Sequence, residues 1–386
     1  MRFFLIAGEP SGDALGAALM AGLRDLSPGV AFDGIGGPLM QGQGLVSRFP
    51  MQELTLMGLT EVLPRYFHLK RRIEETAQAV AAERPAALIT IDSPDFCLRV
   101  ARRARALWPD LRVIHYVAPS VWAWRPGRAA KMAPVVDHVL ALLPFEPPYM
   151  QAAGMSCDFV GHPIATATPA SADQAAAFRA AHGIAADAPL VLCLPGSRRG
   201  EIRQLTARFG ETLGLVAAQV PGLRVVLPTL DNLRPEIEAM TRNWPLVPLI
   251  VTGADDKLAA FAAADAALAA SGTVSLELAL NAVPMVIAYD MAPLSRWIIL
   301  RMMLTDTVTL VNLVSETRAV PEFIAANCRP APMADALVDL LRGGAARQAQ
   351  LDAMALTMRR LGQGGEPPGH RAARSVLAAI TAPQPR

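Results

Sequence analysis

The sequence predicts an α/β protein made of two tandem, doubly wound Rossmann-like domains facing a cleft. Three observations carry that prediction. Strand-like apolar runs alternate with helix-period segments along the chain, most runs end in polar turns bearing glycine or proline, and the pattern restarts near the middle. A chain of 386 residues is also long for a single core. Open α/β sheets bind ligands beyond the carboxyl ends of their strands, so those polar turns are where a site is expected.

In the first half the apolar runs predict strands near 2–7, 88–92, 112–117, 138–143 and 157–160, with helices near 13–26, 68–83, 97–107 and 128–134. An alanine-rich connector with Pro163 and Pro169 reads as a hinge followed by a helix. The second half restarts with strands near 189–194, 224–228, 248–251, 266–269 and 284–288, and helices near 201–219, 233–242, 256–263, 274–281 and 333–342. The expected domains are residues 1–165 and 166–360, with 361–386 forming a helix and tail that return to the first domain or to a partner subunit.

Composition narrows the function. At 52% hydrophobic and 18% charged the chain has ample material for two buried sheets, and a formal charge of +2 argues against nucleic-acid binding through bulk charge. Cys97, Cys157, Cys193 and Cys328 are widely spaced with no ligand pattern, and read as buried thiols of a reducing compartment. No segment approaches the roughly 18 uninterrupted apolar residues of a membrane span. The apolar start, Met1 to Gly8, runs into a glycine-acid turn and reads as a first strand rather than a signal core.

The motifs sit at the strand ends. Ala118-Pro-Ser-Val-Trp-Ala-Trp-Arg125 puts two of the chain's 5 tryptophans in one loop after an apolar run, which makes Ser120 and Trp122 candidates for lining the cleft. Ala7-Gly-Glu-Pro-Ser-Gly-Asp-Ala-Leu-Gly16 opens a helix capped by Ser11 or Asp13, and leaves Glu9 and Ser11 facing a ligand. It lacks the GxGxxG of dinucleotide sites. Gly34-Ile-Gly-Gly-Pro-Leu-Met40 is a second glycine-dense turn. Asp92 and Asp95 flank Pro94 at another strand end; Asp95 is expected to cap the following helix and Asp92 to do chemistry as a general base. Their spacing is not that of a metal-sugar-nucleotide site, so neither a metal nor a cofactor is implied.

In the second half, Pro195-Gly-Ser-Arg-Arg-Gly-Glu201 places Gly196, Ser197 and Arg198 at a helix N-terminus, where amides, dipole and guanidinium favour phosphate. Ala270-Ser-Gly-Thr-Val-Ser-Leu-Glu277 repeats the arrangement: Ser271, Gly272 and Thr273 suit a diphosphate, and Glu277 suits the two hydroxyls of a ribose. Residues 63–73 interleave bulky apolar and basic groups, with Tyr66, Phe67 and Leu69 beside Lys70, Arg71 and Arg72, a pattern for an anionic membrane surface or for a solvated helix face. Ser295 to Leu304 is nearly apolar all round and reads as core, or as a second contact with lipid or another subunit.

Taken in order, GEPSGD, IDSPDF, HYVAPSVWAWRPGR, LLPFEP, VGHP, LPGSRRGEI, ASGTVSLE and the Val311-Asn-Leu313 segment resemble the lipid-A-disaccharide synthase family across nearly the whole chain. The resemblance implies the GT-B architecture and an inverting glycosyltransferase of a Gram-negative bacterium, cytoplasmic and peripheral on the inner membrane. Its expected substrates are UDP-2,3-diacylglucosamine and 2,3-diacylglucosamine 1-phosphate (lipid X), and its products the β-1,6 disaccharide 1-phosphate and UDP; a homodimer is left open. It places Glu9 and Asp92 on important acidic positions, Arg198 on the nucleotide-binding arginine, Glu277 on the ribose-binding glutamate of related enzymes and Asn312 on a polar position lining the cleft. Pro10 and Pro163 depart from relatives without removing a reactive group. A UDP-sugar 2-epimerase could share the fold and nucleotide half but has no reason to carry the segment at 63–73. A nicotinamide oxidoreductase is disfavoured by the absent GxGxxG, and a non-catalytic sugar-nucleotide sensor stays open because sequence never proves turnover.

Overall fold

The computed structural model describes residues 1–54, 59–291 and 301–382, and the side chains of residues 59–66 fall outside that description. The chain forms two compact units: Met1–Thr166 together with the segment from Gly364, and Ala167–Gln363.

The first unit holds a six-stranded parallel sheet in the order β2-β1-β3-β4-β5-β6. Its strands are β1 (Arg2–Ala7), β2 (Ala31–Ile35), β3 (Ala87–Ile91), β4 (Val113–Tyr116), β5 (His138–Ala141) and β6 (Ser156–Phe159). The helices are α1 (Pro10–Leu26), α2 (Pro38–Gly42), α3 (Leu59–Glu83), α4 (Pro94–Leu107), α5 (Gly127–Met132) and α6 (Pro147–Ala152). β3 is buried at every position, as expected for a central parallel strand whose two faces are both covered. On one face Val80, Val100 and Ala104 of α3 and α4 pack with Leu88, Val113 and Val139. On the other, Leu19, Met20 and Leu23 of α1 meet Leu5, Ile89 and Ile114, together with Ala372, Ala373 and Val376 of the C-terminal helix Pro368–Thr381.

That last helix is tied down by packing and by polar contacts. Gly22 of α1 and Gly369 are in such close approach that a Cβ built on Gly22 would lie 2.7 Å from the Gly369 carbonyl. The Ser375 hydroxyl bonds His138 Nε2 at 2.7 Å and donates to Asp158 Oδ2 at 2.7 Å, so a buried histidine at the start of β5 is satisfied by a residue 237 positions away.

The second unit repeats the plan, with strand order β12-β11-β10-β7-β8-β9. Its strands are β7 (Leu190–Leu194), β8 (Arg224–Thr229), β9 (Leu249–Thr252), β10 (Ala266–Ala270), β11 (Met285–Tyr289) and β12 (Glu322–Ile324). The described helices are α7 (Ala172–Ala181), α8 (Arg199–Ala217), α9 (Arg234–Thr241), α10 (Ala254–Ala263), α11 (Val274–Leu280), α12 (Leu310–Ser315), α13 (Pro330–Arg342) and α14 (Ala345–Arg360). The C-terminal helix Pro368–Thr381 is then α15. Leu205, Phe209 and Leu213 of α8 and Met333 and Leu337 of α13 fill one face against Val191, Val225 and Leu268. Strand-end polar groups are closed by side chains: Gln350 of α14 accepts from the Met285 amide at 2.8 Å and donates to its carbonyl at 3.1 Å.

Two local expectations are corrected. α1 begins at Pro10, whose missing N–H suits the first helical position, and neither Ser11 nor Asp13 caps it. Instead the buried Asp13 carboxylate accepts from the amides of Gly37, Leu39 and Met40 at 2.9, 3.0 and 3.0 Å, so it caps α2 from a neighbouring helix. Asp95 does not cap α4, because the helix starts one residue earlier, at Pro94; its charge lies in the first turn, where the dipole still favours it. Among the described residues no helix is long and apolar enough to cross a membrane.

Candidate active site

In the first unit the strand ends carry backbone strain. Asp92 and Ser93, which leave β3, both adopt left-handed φ values of 51° and 44°, and Val117, which leaves the adjacent β4, stands at φ 85°. Left-handed backbone is costly for a β-branched residue, and such strain collects where a protein must aim a group. Here it is held by the sheet: the Asp92 amide donates to the Tyr116 carbonyl at 3.0 Å and the Val117 amide to Leu140 at 3.0 Å. The turn after β1 lies against the same point, since a Cβ on Gly8 would sit 2.6 Å from Ser93 Oγ. Glu9 and Asp92 therefore belong to two abutting turns, and both side chains are half-buried. The nearest buried thiol registers the carboxylate: burial first, and then the charge of Asp92, push the Cys97 thiol up. All four cysteines are free and buried.

Beside these turns opens a cavity of about 670 Å³ lined by Glu9, Leu54, Leu69, Ser93, Asp95 and Phe96, with Lys70, Ile73, Pro94 and Arg99 completing it. Ser11 and Ser120 are exposed. Trp122 is half-buried and wedged edge-on against Phe145, with ring centroids 5.2 Å apart. Its indole N–H reaches the Glu146 carboxylate at 3.4 Å, which also accepts from the amides of Leu142 and Leu143 at 3.2 and 3.0 Å. Burial outweighs those three donors and pushes Glu146 up to about 7. Trp122 thus joins two loops within the first unit, a role its position in the sequence did not reveal.

The basic segment divides into parts. Phe67 is 82% exposed and Arg71 is exposed, whereas Leu69 turns into the cavity. Arg72 faces inward, its guanidinium bonded to Glu53 at 2.8 Å and stacked 4.4 Å from the Phe49 ring, so its charge is held by the fold. The side chain of Tyr66 and residues 295–300 of the apolar segment at 295–304 lie outside the described residues.

In the second unit a cavity of about 230 Å³ lies at the carboxyl ends of β7, β8 and β10. It gathers Gly196, Ser197, Ser271, Gly272, Thr273 and Glu277, which come from two separate helix starts. Gly196 takes φ 112°, and a Cβ there would meet Glu201 Oε2 at 2.6 Å, so only glycine lets the chain turn beside that carboxylate. Pro228, Leu230 and Leu233 supply an apolar wall. Glu277 reaches across to Lys257 of α10, with Oε2 2.5 Å from Nζ. Lys257 is a lining residue that sequence reading missed, since nothing local marks a lysine in the first turns of an alanine-rich helix.

Two expected residues stand elsewhere. Arg198 is exposed, leans toward Glu201 at 3.7 Å and does not line the cavity. Asn312 is wholly buried: its amide donates to Thr307 and to the Val320 carbonyl at 3.3 and 2.9 Å and accepts from the Val320 amide at 3.0 Å. With every such bond made inside the second unit, Asn312 braces the chain before β12 and presents no polar surface.

Two six-stranded parallel sheets with ligand-sized cavities at their strand ends define the class, the α/β fold of GT-B glycosyltransferases and UDP-GlcNAc 2-epimerases. A UDP-GlcNAc 2-epimerase from Neisseria meningitidis, solved bound to UDP-GlcNAc, is similar with TM-score 0.64 at 10% identity, covering 99% of this chain and 100% of that one. MurG from Acinetobacter baumannii is similar with TM-score 0.55 at 16% identity, covering 99% of each. Residues 3–374 match the family described as lipid-A-disaccharide synthetase, and a lipid-A-disaccharide synthase from Ruegeria pomeroyi is 58% identical over 98% of this chain and 95% of its own length. The chain belongs to the lipid-A-disaccharide synthetase family, glycosyltransferases that make the disaccharide of lipid A.

Proposed function

We propose that the chain joins UDP-2,3-diacylglucosamine to 2,3-diacylglucosamine 1-phosphate, lipid X, forming the β-1,6-linked disaccharide 1-phosphate and UDP on the cytoplasmic face of the inner membrane. The observation that carries this reading is the cavity of the second unit, where two helix starts, a cation and a carboxylate converge. In this reading the backbone amides at Gly196–Ser197 and Gly272–Thr273 take the diphosphate, Glu277 receives the ribose hydroxyls, and Lys257 offsets the charge that grows on departing UDP. The epimerase neighbour with UDP-GlcNAc bound supports a nucleotide sugar on this fold.

Chemistry on the acceptor falls to the first unit. An α-linked donor that yields a β product requires attack from the face opposite the leaving diphosphate. The acceptor 6-hydroxyl forms the new bond to the anomeric carbon as the bond from that carbon to the phosphate oxygen breaks, and the hydroxyl proton passes to a base. Asp92 takes that role, held by its strained turn, and Glu9 on the abutting turn orients the sugar. Phe67 and Arg71 give an exposed apolar group and an exposed charge suited to an anionic bilayer, the source of two acylated substrates.

Mass spectrometry of the products formed from UDP-2,3-diacylglucosamine and lipid X tests the proposal. A disaccharide 1-phosphate that requires both substrates is expected; UDP release without it would overturn the reading.

A further inference from the structure

The cavity of the first unit has a chemical character of its own. Leu54, Leu69, Ile73 and Phe96 make it apolar, and Lys70 and Arg99, from α3 and α4, add two cations to the same lining. Of their basic neighbours on these helices, Arg71 pairs with Glu75, Arg72 with Glu53 and Glu75, Arg103 with Glu74 and Arg105 with Asp137, while Arg102 is exposed and does not line the cavity. Among the described residues, neither Lys70 nor Arg99 has an ion-pair partner, although Glu9 and Asp95 line the same cavity. A soluble protein ordinarily pairs or disperses its charges, so two unpartnered cations beside an apolar hollow match a ligand that joins an anion to hydrocarbon.

We propose that Lys70 and Arg99 clamp the phosphate of the acceptor, while Leu54, Leu69, Ile73 and Phe96 receive one of its acyl chains. The inference rests on the reading of the first unit as the acceptor side and deepens it. About 670 Å³ is room for part of an acylated sugar phosphate, not for all of it. The carboxylates of Glu9 and Asp95 suit sugar hydroxyls in the same cavity, and the guanidinium of Arg99 can take two phosphate oxygens at once. The cavity also explains why Leu69 turns inward while Phe67 stays outside on the same helix.

An anionic lipid headgroup would offer the same phosphate, and the experiment separates the two sources. In the full-length enzyme, Lys70→Gln, Arg99→Gln and Arg99→Lys are assayed with saturating donor against lipid X and against its analogue with a free 1-hydroxyl; sedimentation with phosphatidylglycerol vesicles is measured in parallel. Each glutamine variant should raise KM for lipid X by about tenfold or more, the scale of one charge-assisted bond. Both should leave KM for the donor and for the dephosphorylated analogue unchanged, and Arg99→Lys should recover part of the loss. Unchanged KM for lipid X, equal losses on both acceptors, or a loss that follows weaker vesicle binding would overturn the clamp. If the wild-type enzyme itself forms no disaccharide, the functional reading fails instead. Both side chains are exposed, so matched melting temperatures verify that each variant is folded.

Discussion

Lys257 Nζ stands 2.5 Å from Glu277 Oε2, joining α10 to α11 across the mouth of the second-unit cavity. The pair is a third to a half exposed on each side, so its own contribution to stability is small. Its significance is that a ribose and a diphosphate would meet both charges at once.

Calorimetry with UDP distinguishes the cations. Lys257→Ala and Glu277→Ala should each weaken UDP binding by about tenfold or more, the lysine variant losing UDP but not uridine. Arg198→Ala should have the smaller effect, because its side chain lies outside the cavity lining. A larger loss from Arg198 than from Lys257 would show that Arg198 turns inward when nucleotide binds.

Asp92→Asn preserves the shape of the strained turn but cannot accept the acceptor proton. Turnover should fall by roughly 10²–10⁴-fold with little change in donor KM. Near-normal kcat would transfer the role of base to Glu9.

Glu146 gives a pH dependence of known sign. Its carboxyl is pushed up to about 7 by burial, against an ordinary value of 4.5, so between those values the folded chain holds more protons than the unfolded chain. Stability should therefore fall as pH rises from about 4.5 to 7, by about 3 kcal/mol, and level off outside that window. His115 and His162, both pushed down to about 4 by burial, impose the opposite slope between 4 and 6.5, so the comparison must be with a variant. Unfolding free energies of wild type and Glu146→Gln across pH 4–8 should converge at the acid end and separate as pH rises; parallel curves would show that Glu146 binds its proton equally in the folded and unfolded chain.

Asp13 caps a helix to which it does not belong. Asp13→Ala leaves three amides without their acceptor, two of them from buried residues, and should cost about 3 kcal/mol of unfolding free energy. Denaturant titration measures this; a loss under about 0.5 kcal/mol, the level of an ordinary surface change, would mean the turn re-caps itself.

Vesicle binding should depend on Phe67 and Arg71. Phe67→Ser with Arg71→Gln should release the enzyme from anionic vesicles, and added salt should weaken wild-type binding. Unchanged co-sedimentation would move the membrane contact elsewhere on the chain.

The sequence displayed the central strands clearly because each is a run of apolar residues buried on both faces, as Ala87–Ile91 and Ala266–Ala270 show. Two of the four edge strands escaped, while β6 and β9 at the opposite edges were predicted. Ala31–Ile35 contains Asp33 and Gly34 and is partly exposed, and Glu322–Ile324 is only three residues long, so neither has a pattern to read. Helix Ala345–Arg360 escaped as well, for its alanines and glutamines mark no strong apolar stripe. In the site, glycine-bearing turns at strand ends were legible because local backbone demands write themselves into local sequence. Lys257, Trp122 and Asp13 were not, since what each does depends on a partner brought close only by the fold: Glu277, Glu146 and Gly37.

The return of Pro368–Thr381 to the face of α1 orders events during synthesis. Leu19, Met20 and Leu23 share their core with Ala372, Ala373 and Val376, so that cluster lacks one wall until the helix Pro368–Thr381 has left the ribosome. The second unit is contiguous in sequence and can close its own core while the first still waits. A nascent chain halted before Gly364 would carry an uncovered apolar strip along α1, a natural handhold for chaperones and a natural seed for aggregation.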